Sequence, residues 1–393
     1  MTRLRIYVVA LVFLFFAVTV IAAPAQSTFF TTLASFNGMD GDYPCAGLVQ
    51  ASDGNFYGTT GGFYGVGTVF KITPEGTLTS LHSFDGTDGE YPFAALVQAS
   101  DGNFYGTTGW GGAYGYGTVF KITSTGTLTT LHSFDSSDGA NPWAGLLQAS
   151  DGNFYGTTYG GGATGQGTVF KITPAGMLTT LYSFCSQNGC ADGSNPQAGL
   201  VQGADGNFYG TTYFGAINNC SFGCGTVFKI TPAGTLTTLH SFDNSDGASP
   251  KAALVQASDG NFYGTTPWGG PNGGGTIFKI TPTGVLTTLY SFGDMDNPES
   301  ALVQASDGNF YGTAIGGGTR GSGAVFEITP SGTLRTLYSF CSQPNCADGD
   351  WPQAGLVQAR DGTFYGTTFE GGAYGYGTVY RIGLVHTCAM CRP

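Results

Sequence analysis

The chain has 393 residues, with 13 Lys and Arg against 25 Asp and Glu, and a formal net charge of −12 at pH 7. An acidic chain with so few basic residues is poorly suited to the phosphate backbone of nucleic acids, so we expect no nucleic-acid partner. Glycine contributes 67 residues. The glycines recur at fixed places among aromatic and branched residues, which favours repeated tight turns over disorder.

The first 25 residues have the features of an export signal. Arg3 and Arg5 precede an apolar run over 6–21, and small residues follow at 22–25. Signal peptides have this order of basic, apolar and small-residue regions. A membrane anchor is the alternative, but the run is short for a bilayer crossing. We therefore expect residues 1–25 to be removed and the mature chain to be secreted to the extracellular space or the periplasm, with no further membrane contact.

The rest of the chain is built from one repeated phrase, DGNFYGTT with small changes. Its seven copies begin at Asp53, Asp101, Asp151, Asp205, Asp259, Asp307 and Asp361. Successive copies are 48 to 54 residues apart, a period that suits the blades of a β-propeller and is too long for one rung of a β-helix.

Each period is predicted to contain four strands, which we name a, b, c and d. In the second copy the β-type runs are 95–99, 104–108, 118–123 and 128–134. Turn residues connect a to b and c to d, whereas longer Gly-rich and Asp-rich segments connect b to c and d to the next a. The two short connections are therefore hairpins, and the two long connections are the variable loops.

The number of strands predicts an all-β, seven-bladed β-propeller over residues 26–383. Four antiparallel strands cannot bury both faces alone, but seven sheets packed radially can, with residues of strands b and c between the blades. Residues 28–36 (TFFTTLASF) match a strand d, while the seventh copy stops after its strand c at 378–382. We therefore predict that the N-terminal strand completes the last blade and closes the ring. A tail with a CxxC motif follows at 384–393.

The segments GTVFKIT, GTLTTLHSF, LVQASDGN and FYGTT resemble the tandem repeats of the GloVer family, named for Gloeobacter and Verrucomicrobia. The resemblance covers nearly all of the chain after the signal. It implies an exported, bacterial, β-propeller-like protein of a family without an established activity, whose members often have a C-terminal sorting anchor. After Ile382 this sequence has only residues 383–393 and no apolar helix, so we expect no covalent surface attachment.

Aromatic residues are frequent in the long loops, which share one face of a propeller. Rings in Gly-rich loops stack on sugars, and loops on a rigid scaffold often carry function, so this face is a candidate carbohydrate-binding surface. Packing of the rings beneath the loops is the alternative. The candidate ligand-binding residues are Tyr64, Tyr91, Trp110, Tyr114, Trp143, Tyr159, Tyr213, Trp268, Trp351 and Tyr374.

Pairs of aspartates recur in the d-to-a loops. Paired carboxylates suit calcium, so calcium is the one candidate in a chain for which we otherwise expect no cofactor. The usual DGxxP context fits Asp as a turn former that bonds its own backbone, which is the preferred interpretation. The calcium candidates are Asp85, Asp88, Asp135, Asp138, Asp243 and Asp246.

Nine cysteines in an exported chain favour disulfides. Short separations within single loops predict three bonds: Cys185–Cys190, Cys220–Cys224 and Cys341–Cys346. Cys45 is left over, together with Cys388 and Cys391 of the CxxC motif. A bridge from Cys45 to the tail is the preferred hypothesis, and a redox or metal role for the CxxC motif is the alternative.

The sequence offers no obvious catalytic group. His82, His132 and His240 occupy one strand-d position that Tyr takes in other copies, which indicates packing with a polar tip. No histidine within a blade stands beside an evident nucleophile. Glu90, Glu299, Glu327 and Glu370 break the repeat, but the sequence does not fix the separation that glycoside hydrolysis requires.

We therefore predict a secreted, monomeric, non-enzymatic binding or scaffold propeller. Its loop-rich face is predicted to bind an extracellular polysaccharide or a surface protein. A protein-interaction or structural module is one alternative, and a carbohydrate-active hydrolase or lyase is another. Fold alone does not choose among them, because propellers host many functions.

Overall fold

The computed structural model describes residues 27–62, 66–216 and 220–385. Over these residues 28 strands form seven four-stranded antiparallel sheets, and the two short 3₁₀ turns are Asn188–Cys190 and Pro344–Cys346. The strands are, in chain order, β1 (Ser27–Ser35), β2 (Val49–Gln50), β3 (Phe56–Thr60), β4 (Thr68–Ile72), β5 (Leu78–Ser83), β6 (Val97–Gln98), β7 (Phe104–Thr108), β8 (Thr118–Ile122), β9 (Leu128–Ser133), β10 (Leu147–Gln148), β11 (Phe154–Thr158), β12 (Thr168–Ile172), β13 (Leu178–Ser183), β14 (Val201–Gln202), β15 (Phe208–Thr212), β16 (Thr226–Ile230), β17 (Leu236–Ser241), β18 (Val255–Gln256), β19 (Phe262–Thr266), β20 (Thr276–Ile280), β21 (Leu286–Ser291), β22 (Val303–Gln304), β23 (Phe310–Ala314), β24 (Ala324–Ile328), β25 (Leu334–Ser339), β26 (Val357–Gln358), β27 (Phe364–Thr368) and β28 (Thr378–Val385).

The sheets are the seven blades of a propeller, and the N-terminal strand closes the ring as predicted. Blades 1 to 6 each contain four consecutive strands in the order a, b, c, d, from β2–β5 to β22–β25. Blade 7 contains β26, β27, β28 and β1. Antiparallel pairing places Ser27 opposite Val385 and Ser35 opposite Thr378. The last blade is therefore completed by residues from both ends of the chain.

Strand a is shorter than the sequence predicts, whereas strand b is as predicted. In blade 2 the ladder of strand a contains Val97 and Gln98 alone, because the residues on both sides bond elsewhere. Ala99 N donates to Asn103 O in the a-to-b turn, and Ala94 O accepts a bond from Thr59 Oγ1 of blade 1. The residue just before the predicted strand a is thus used to join blades. Strands c and d of this blade end one residue earlier than predicted.

The core lies between the blades and is formed largely by strands b and c, as predicted. The Tyr of each strand b packs on the Phe of the next strand b, and Tyr57 stacks on Phe104 with ring centroids 4.1 Å apart. Tyr365 of blade 7 packs on Phe56 of blade 1 at 4.0 Å, so the same contact closes the ring. Gly106 makes room in this layer, since a Cβ there would lie 2.6 Å from Phe120 Cζ.

The hairpin face, which carries the a-to-b and c-to-d turns, is held by repeated polar contacts. Ser52 N donates to Gln98 Oε1 of the next blade at 2.8 Å, and Arg360 N donates to Gln50 at 3.0 Å to close the ring. Asp101 accepts bonds from Lys121 Nζ at 2.8 Å and Tyr105 Oη at 2.9 Å. Five blades have this contact between the strand-c lysine and the first Asp of the repeated phrase, so these lysines support the architecture.

Three disulfides lie in the loops, as predicted: Cys185–Cys190, Cys220–Cys224 and Cys341–Cys346. Such bonds persist in oxidising compartments, so they indicate an extracellular or periplasmic environment. No helix in the described part of the chain has the length and apolarity needed to cross a membrane. The predicted signal at 1–25 and residues 386–393 of the predicted tail, with Cys388 and Cys391, lie outside the described residues, whereas 384–385 belong to strand β28.

Candidate functional site

The d-to-a loops end in a left-handed residue followed by proline. That residue is never glycine, yet its φ lies between 47° and 56° in all seven loops: Tyr43, Tyr91, Asn141, Asn195, Ser249, Asn297 and Trp351. Residues other than glycine seldom adopt this conformation, so contacts with the surrounding structure must stabilise it in these seven residues. Tyr91 N donates to Val66 O at 2.9 Å, and Asn141 N donates to Tyr116 O at 2.8 Å. Each d-to-a loop is thus fixed to the b-to-c loop of the preceding blade.

The residue after each of these prolines lines a single cavity of about 490 Å³. Because all seven blades contribute the equivalent residue, the cavity lies on the propeller axis, at the loop-rich face. We call it the axial pocket. Its lining residues are Cys45, Phe93, Trp143, Gln197, Lys251, Glu299 and Gln353, with Phe369 from the b-to-c loop of blade 7.

The axial pocket has two chemically different halves. Blades 7, 1, 2 and 3 supply an apolar arc, formed by Phe369, Cys45, Phe93 and Trp143. Blades 4 to 7 supply a polar arc, formed by Gln197, Lys251, Glu299 and Gln353. A flat molecule in this pocket can stack on rings at one side and exchange hydrogen bonds at the other.

Trp143 is the largest side chain of the apolar arc, and its surroundings fix its position. It stacks on Tyr159, with ring centroids 4.2 Å apart and the planes 24° from parallel. Gly109 provides the space, because a Cβ there would lie 2.9 Å from Trp143 Cδ1. Asn141 Nδ2 donates to Gly109 O at 2.9 Å and holds the two loops together. Trp143 Nε1 is buried and has no hydrogen-bond partner among the described residues.

Cys45 contributes a neutral thiol to the apolar arc. Its sulfur lies 3.2 Å from Tyr43 O, and a Cβ on Gly61 would be 3.1 Å from it. Burial, and secondarily the charge of Asp42, raises the pKa of this thiol to about 12, while Lys251 acts in the opposite direction. A thiol that stays protonated at neutral pH is a poor nucleophile and a poor metal ligand. Cys45 is the one cysteine outside a disulfide among the described residues.

Lys251 and Glu299 form an ion pair on the polar arc, between Lys251 Nζ and Glu299 Oε2. The Glu299 side chain is 11% exposed and that of Lys251 is 29% exposed. The pair joins the equivalent positions of blades 5 and 6. It places one positive and one negative charge in the wall of the pocket.

The structure brings only part of the predicted aromatic set to the axial pocket. Trp143 lines it and Tyr159 supports Trp143, whereas Tyr91 borders a smaller neighbouring cavity of about 80 Å³. Tyr213 packs edge to face on Phe214, with centroids 4.5 Å apart. Five others are exposed on the loop-rich face and do not line the pocket, and we call them the rim: Trp110, Tyr114, Trp268, Trp351 and Tyr374. Tyr64 lies outside the described residues.

Seven of the eight lining residues were not among the candidate ligand-binding residues, and Trp143 is the exception. A signal for them was present in the sequence. The residue after the loop proline, which ends a DGxxP motif in six copies and DMDNP in the sixth, is Cys, Phe, Trp, Gln, Lys, Glu and Gln in successive copies, while its neighbours keep their character. A repeat position whose residue type varies while the scaffold stays constant can form an asymmetric site. That the seven side chains at this position meet on the propeller axis follows from the fold and not from the sequence.

The calcium candidates are used to shape their loops. Asp85 Oδ1 accepts a bond from Thr87 N at 2.9 Å, and Asp88 Oδ2 lies 2.7 Å from His82 Nε2. Equivalent contacts occur at Asp135, Asp138, Asp243 and Asp246. Over the described ranges no three His, Cys, Asp or Glu residues are grouped to hold a metal ion. Calcium binding stays a prediction, and its candidate residues have a structural role of their own.

The model of one protein family, described as the Gloeobacter/Verrucomicrobia repeat, matches residues 17–149, 100–303 and 294–389. Among solved structures, a candidate 6-phosphogluconolactonase from Bacteroides uniformis is 18% identical, with a TM-score of 0.48 over 83% of this chain and 92% of that chain. The PQQ-bound aldose sugar dehydrogenase from Streptomyces coelicolor is 14% identical, with a TM-score of 0.47 over 92% of this chain and 100% of that chain. No curated protein matches the sequence.

Proposed function

The chain belongs to the Gloeobacter/Verrucomicrobia repeat family, and for this member we propose that the axial pocket binds a sugar unit of an extracellular polysaccharide. The observation that carries the proposal is the division of the pocket into an apolar and a polar arc. A pyranose ring has the matching asymmetry, because its C–H faces stack on aromatic rings while its hydroxyls exchange hydrogen bonds at the edge.

The size and the polar groups of the pocket support this proposal. A cavity of about 490 Å³ lies within the usual range for small-molecule sites. The amides of Gln197 and Gln353 each provide a donor and an acceptor, while Lys251 donates and Glu299 accepts. Trp143 provides a flat surface held by Tyr159. A rigid aromatic surface costs little ordering entropy when it binds a ligand.

The same lining favours binding over glycoside hydrolysis. Hydrolysis of a glycosidic bond generally uses two carboxyl groups on either side of that bond. Glu299 is the one carboxylate among the residues that line the axial pocket, and it is paired with Lys251. We therefore propose a binding protein that is exported to the extracellular space or the periplasm, where its three disulfides are stable.

A comparison of two tryptophans on the same face tests the proposal. The mature protein is screened on a polysaccharide array, and short oligosaccharides of the best ligand are titrated by calorimetry. Trp143→Ala is expected to weaken binding at least tenfold, since it removes the stacking surface. Trp268→Ala is the matched control, because Trp268 is an exposed rim residue outside the pocket, and it is expected to change the affinity less than threefold.

Two results would contradict the proposal. One is saccharide binding that Trp143→Ala leaves unchanged, which would place the site elsewhere. The other is a wild-type protein that binds no saccharide but is captured by a surface protein, which would favour a protein-interaction module.

A further inference from the structure

Lys251 and Glu299 are the charged residues of the axial-pocket lining, and they are adjacent. They occupy the same repeat position in consecutive blades, where the other blades have Cys, Phe, Trp or Gln. Their side chains form an ion pair. The pocket therefore has both signs of charge at one place in its wall and none in the rest of its lining.

The pair faces the cavity and is partly removed from water. Glu299 is 11% exposed and Lys251 is 29% exposed, so bulk solvent screens the carboxylate less than it screens a surface group. The Lys251 ammonium also acts on Cys45, which belongs to the apolar arc. The charge of Lys251 therefore acts across the pocket, on a residue of the opposite arc.

An ion pair of this kind discriminates between ligands by charge. Hydroxyl groups can accept from the ammonium or donate to the carboxylate while the two residues stay together. A ligand carboxylate would compete with Glu299 for Lys251 and would lie beside a like charge. A ligand ammonium would compete with Lys251 for Glu299 in the same way. Either ligand would leave a half-buried charge without its partner, which is unfavourable.

We propose that the Lys251–Glu299 ion pair makes the axial pocket selective for uncharged sugars against uronic acids and amino sugars. This rests on the proposed function, since it assumes that a sugar occupies the pocket. It adds that the two residues act together. Each neutralises the charge of the other, and removal of either one changes whether the pocket favours an anionic or a cationic ligand.

Single substitutions at the two positions are expected to change the charge preference in opposite directions. The probes are oligosaccharides of one length that end in glucose or galactose, in glucuronate or galacturonate, and in glucosamine or galactosamine. Glu299→Gln leaves Lys251 unpaired and is expected to increase the affinity for the uronate-ended probes about tenfold relative to their neutral counterparts. Lys251→Met leaves Glu299 unpaired and is expected to give the same gain for the amino-sugar-ended probes.

The charge-swapped double variant Lys251→Glu/Glu299→Lys is the matched control. It restores a pair of opposite charges at the same two positions, so it is expected to restore the preference for neutral probes. Thermal unfolding of each variant establishes that it is folded before its preference is compared. If the neutral and charged probes keep their wild-type ratio in both single variants, the inference is wrong while the proposed function stands. If the wild-type protein binds the charged probes but no neutral probe, the inference is also wrong while the proposed function stands. If it binds none of the probes, the proposed function is wrong and the inference fails with it.

Discussion

Trp143 stacks on Tyr159, with their ring centroids 4.2 Å apart, and this contact joins the two long loops of blade 3. Trp143 precedes strand β10 and Tyr159 follows strand β11, so the stack bridges connections at both ends of the a–b hairpin. Burial, with a smaller effect from Tyr213, raises the pKa of Tyr159. The phenol therefore remains neutral at physiological pH, and the aromatic wall of the axial pocket does not change its charge there.

Gly109→Ala is expected to displace Trp143 without unfolding the protein. A Cβ at this position would lie 2.9 Å from Trp143 Cδ1 and 3.0 Å from Nε1, so the indole must move. We expect a loss of about 1 kcal/mol of stability, a red shift of the tryptophan emission and weaker saccharide binding. Gly293→Ala is the control, because the nearest atom to its Cβ, Asp296 Oδ2, is at 3.4 Å. Unchanged emission and binding in Gly109→Ala would show that Trp143 is not held as described.

Closure of the ring depends on Phe30 of strand β1. Its ring stacks on Tyr338 of blade 6 at 3.8 Å and on Tyr380 of blade 7 at 5.3 Å. Phe30→Ala is expected to lower the free energy of unfolding by about 3 kcal/mol, measured by urea denaturation. Phe29→Ala on the same strand is the control, since Phe29 is 39% exposed, and it is expected to cost less than about 1 kcal/mol. Equal losses would mean that β1 acts through its backbone pairing alone.

The Cys45 thiol is expected to resist alkylation in the native protein. Its pKa of about 12, against 9.0 for an ordinary thiol, leaves about a thousandfold less thiolate at pH 8. The rate of iodoacetamide labelling at Cys45, followed by peptide mass mapping, should therefore rise about tenfold per pH unit beyond pH 9. Labelling of the native protein at the rate found for the urea-unfolded chain would contradict the raised pKa of this thiol.

The same shift predicts a loss of stability in alkali. A pKa raised in the folded state favours folding only while the thiol is protonated in both states. The contribution is complete below pH 9 and falls as the pH rises from 9 towards 12, because the unfolded chain ionises first. Cys45→Ala removes this contribution, so its free energy of unfolding should fall less than that of the wild type between pH 8.5 and 10.5. If the free energies of unfolding of the two proteins fall in parallel with pH, Cys45 does not contribute to the loss of stability in alkali.

Asp101 is expected to contribute to acid sensitivity. Burial raises its pKa, but hydrogen bonds from Lys121, Asn103 and Tyr105 outweigh this and hold the pKa well below its usual range. A depressed pKa favours folding above pH 3.8, and the contribution is lost as the pH falls below that value. Asp101→Asn should therefore lower stability at pH 7, by about 1 kcal/mol after screening by solvent, and should flatten the loss between pH 4 and 2.

Asp361→Asn is the matched control for Asp101→Asn. Asp361 begins the seventh copy, in which Thr363 replaces the Asn and Arg381 replaces the Lys of blade 2. Its carboxylate accepts a bond from Thr363 N at 2.9 Å. A smaller loss of stability at pH 7 is expected there, and an equal loss would show that the lysine contact contributes little.

The sequence by itself determined the architecture, because the same four-strand pattern occurs in each of its seven repeats. The copies of DGNFYGTT gave the number of blades, and the TFFTTLASF segment together with the missing last strand gave the closure. The three cysteine pairs are close in sequence, so their bonding required no knowledge of the fold. Strand a is shorter than the β-type run at 95–99 predicts, because Ala99 N bonds within the a-to-b turn and only Val97 and Gln98 pair with strand b.

The tertiary structure alone decided which loop residues form the pocket. Trp143 and Trp268 are the same residue type on the same face, yet one lines the axial pocket and the other is exposed on the rim. The difference is that Trp143 follows a proline whose left-handed predecessor, Asn141, is bonded to the b-to-c loop of the preceding blade, whereas Trp268 lies two residues after strand b. Lys251 and Glu299, 48 residues apart in sequence, meet for the same reason. Because the blades are arranged around one axis, residues at the same position of successive repeats form a ring around that axis.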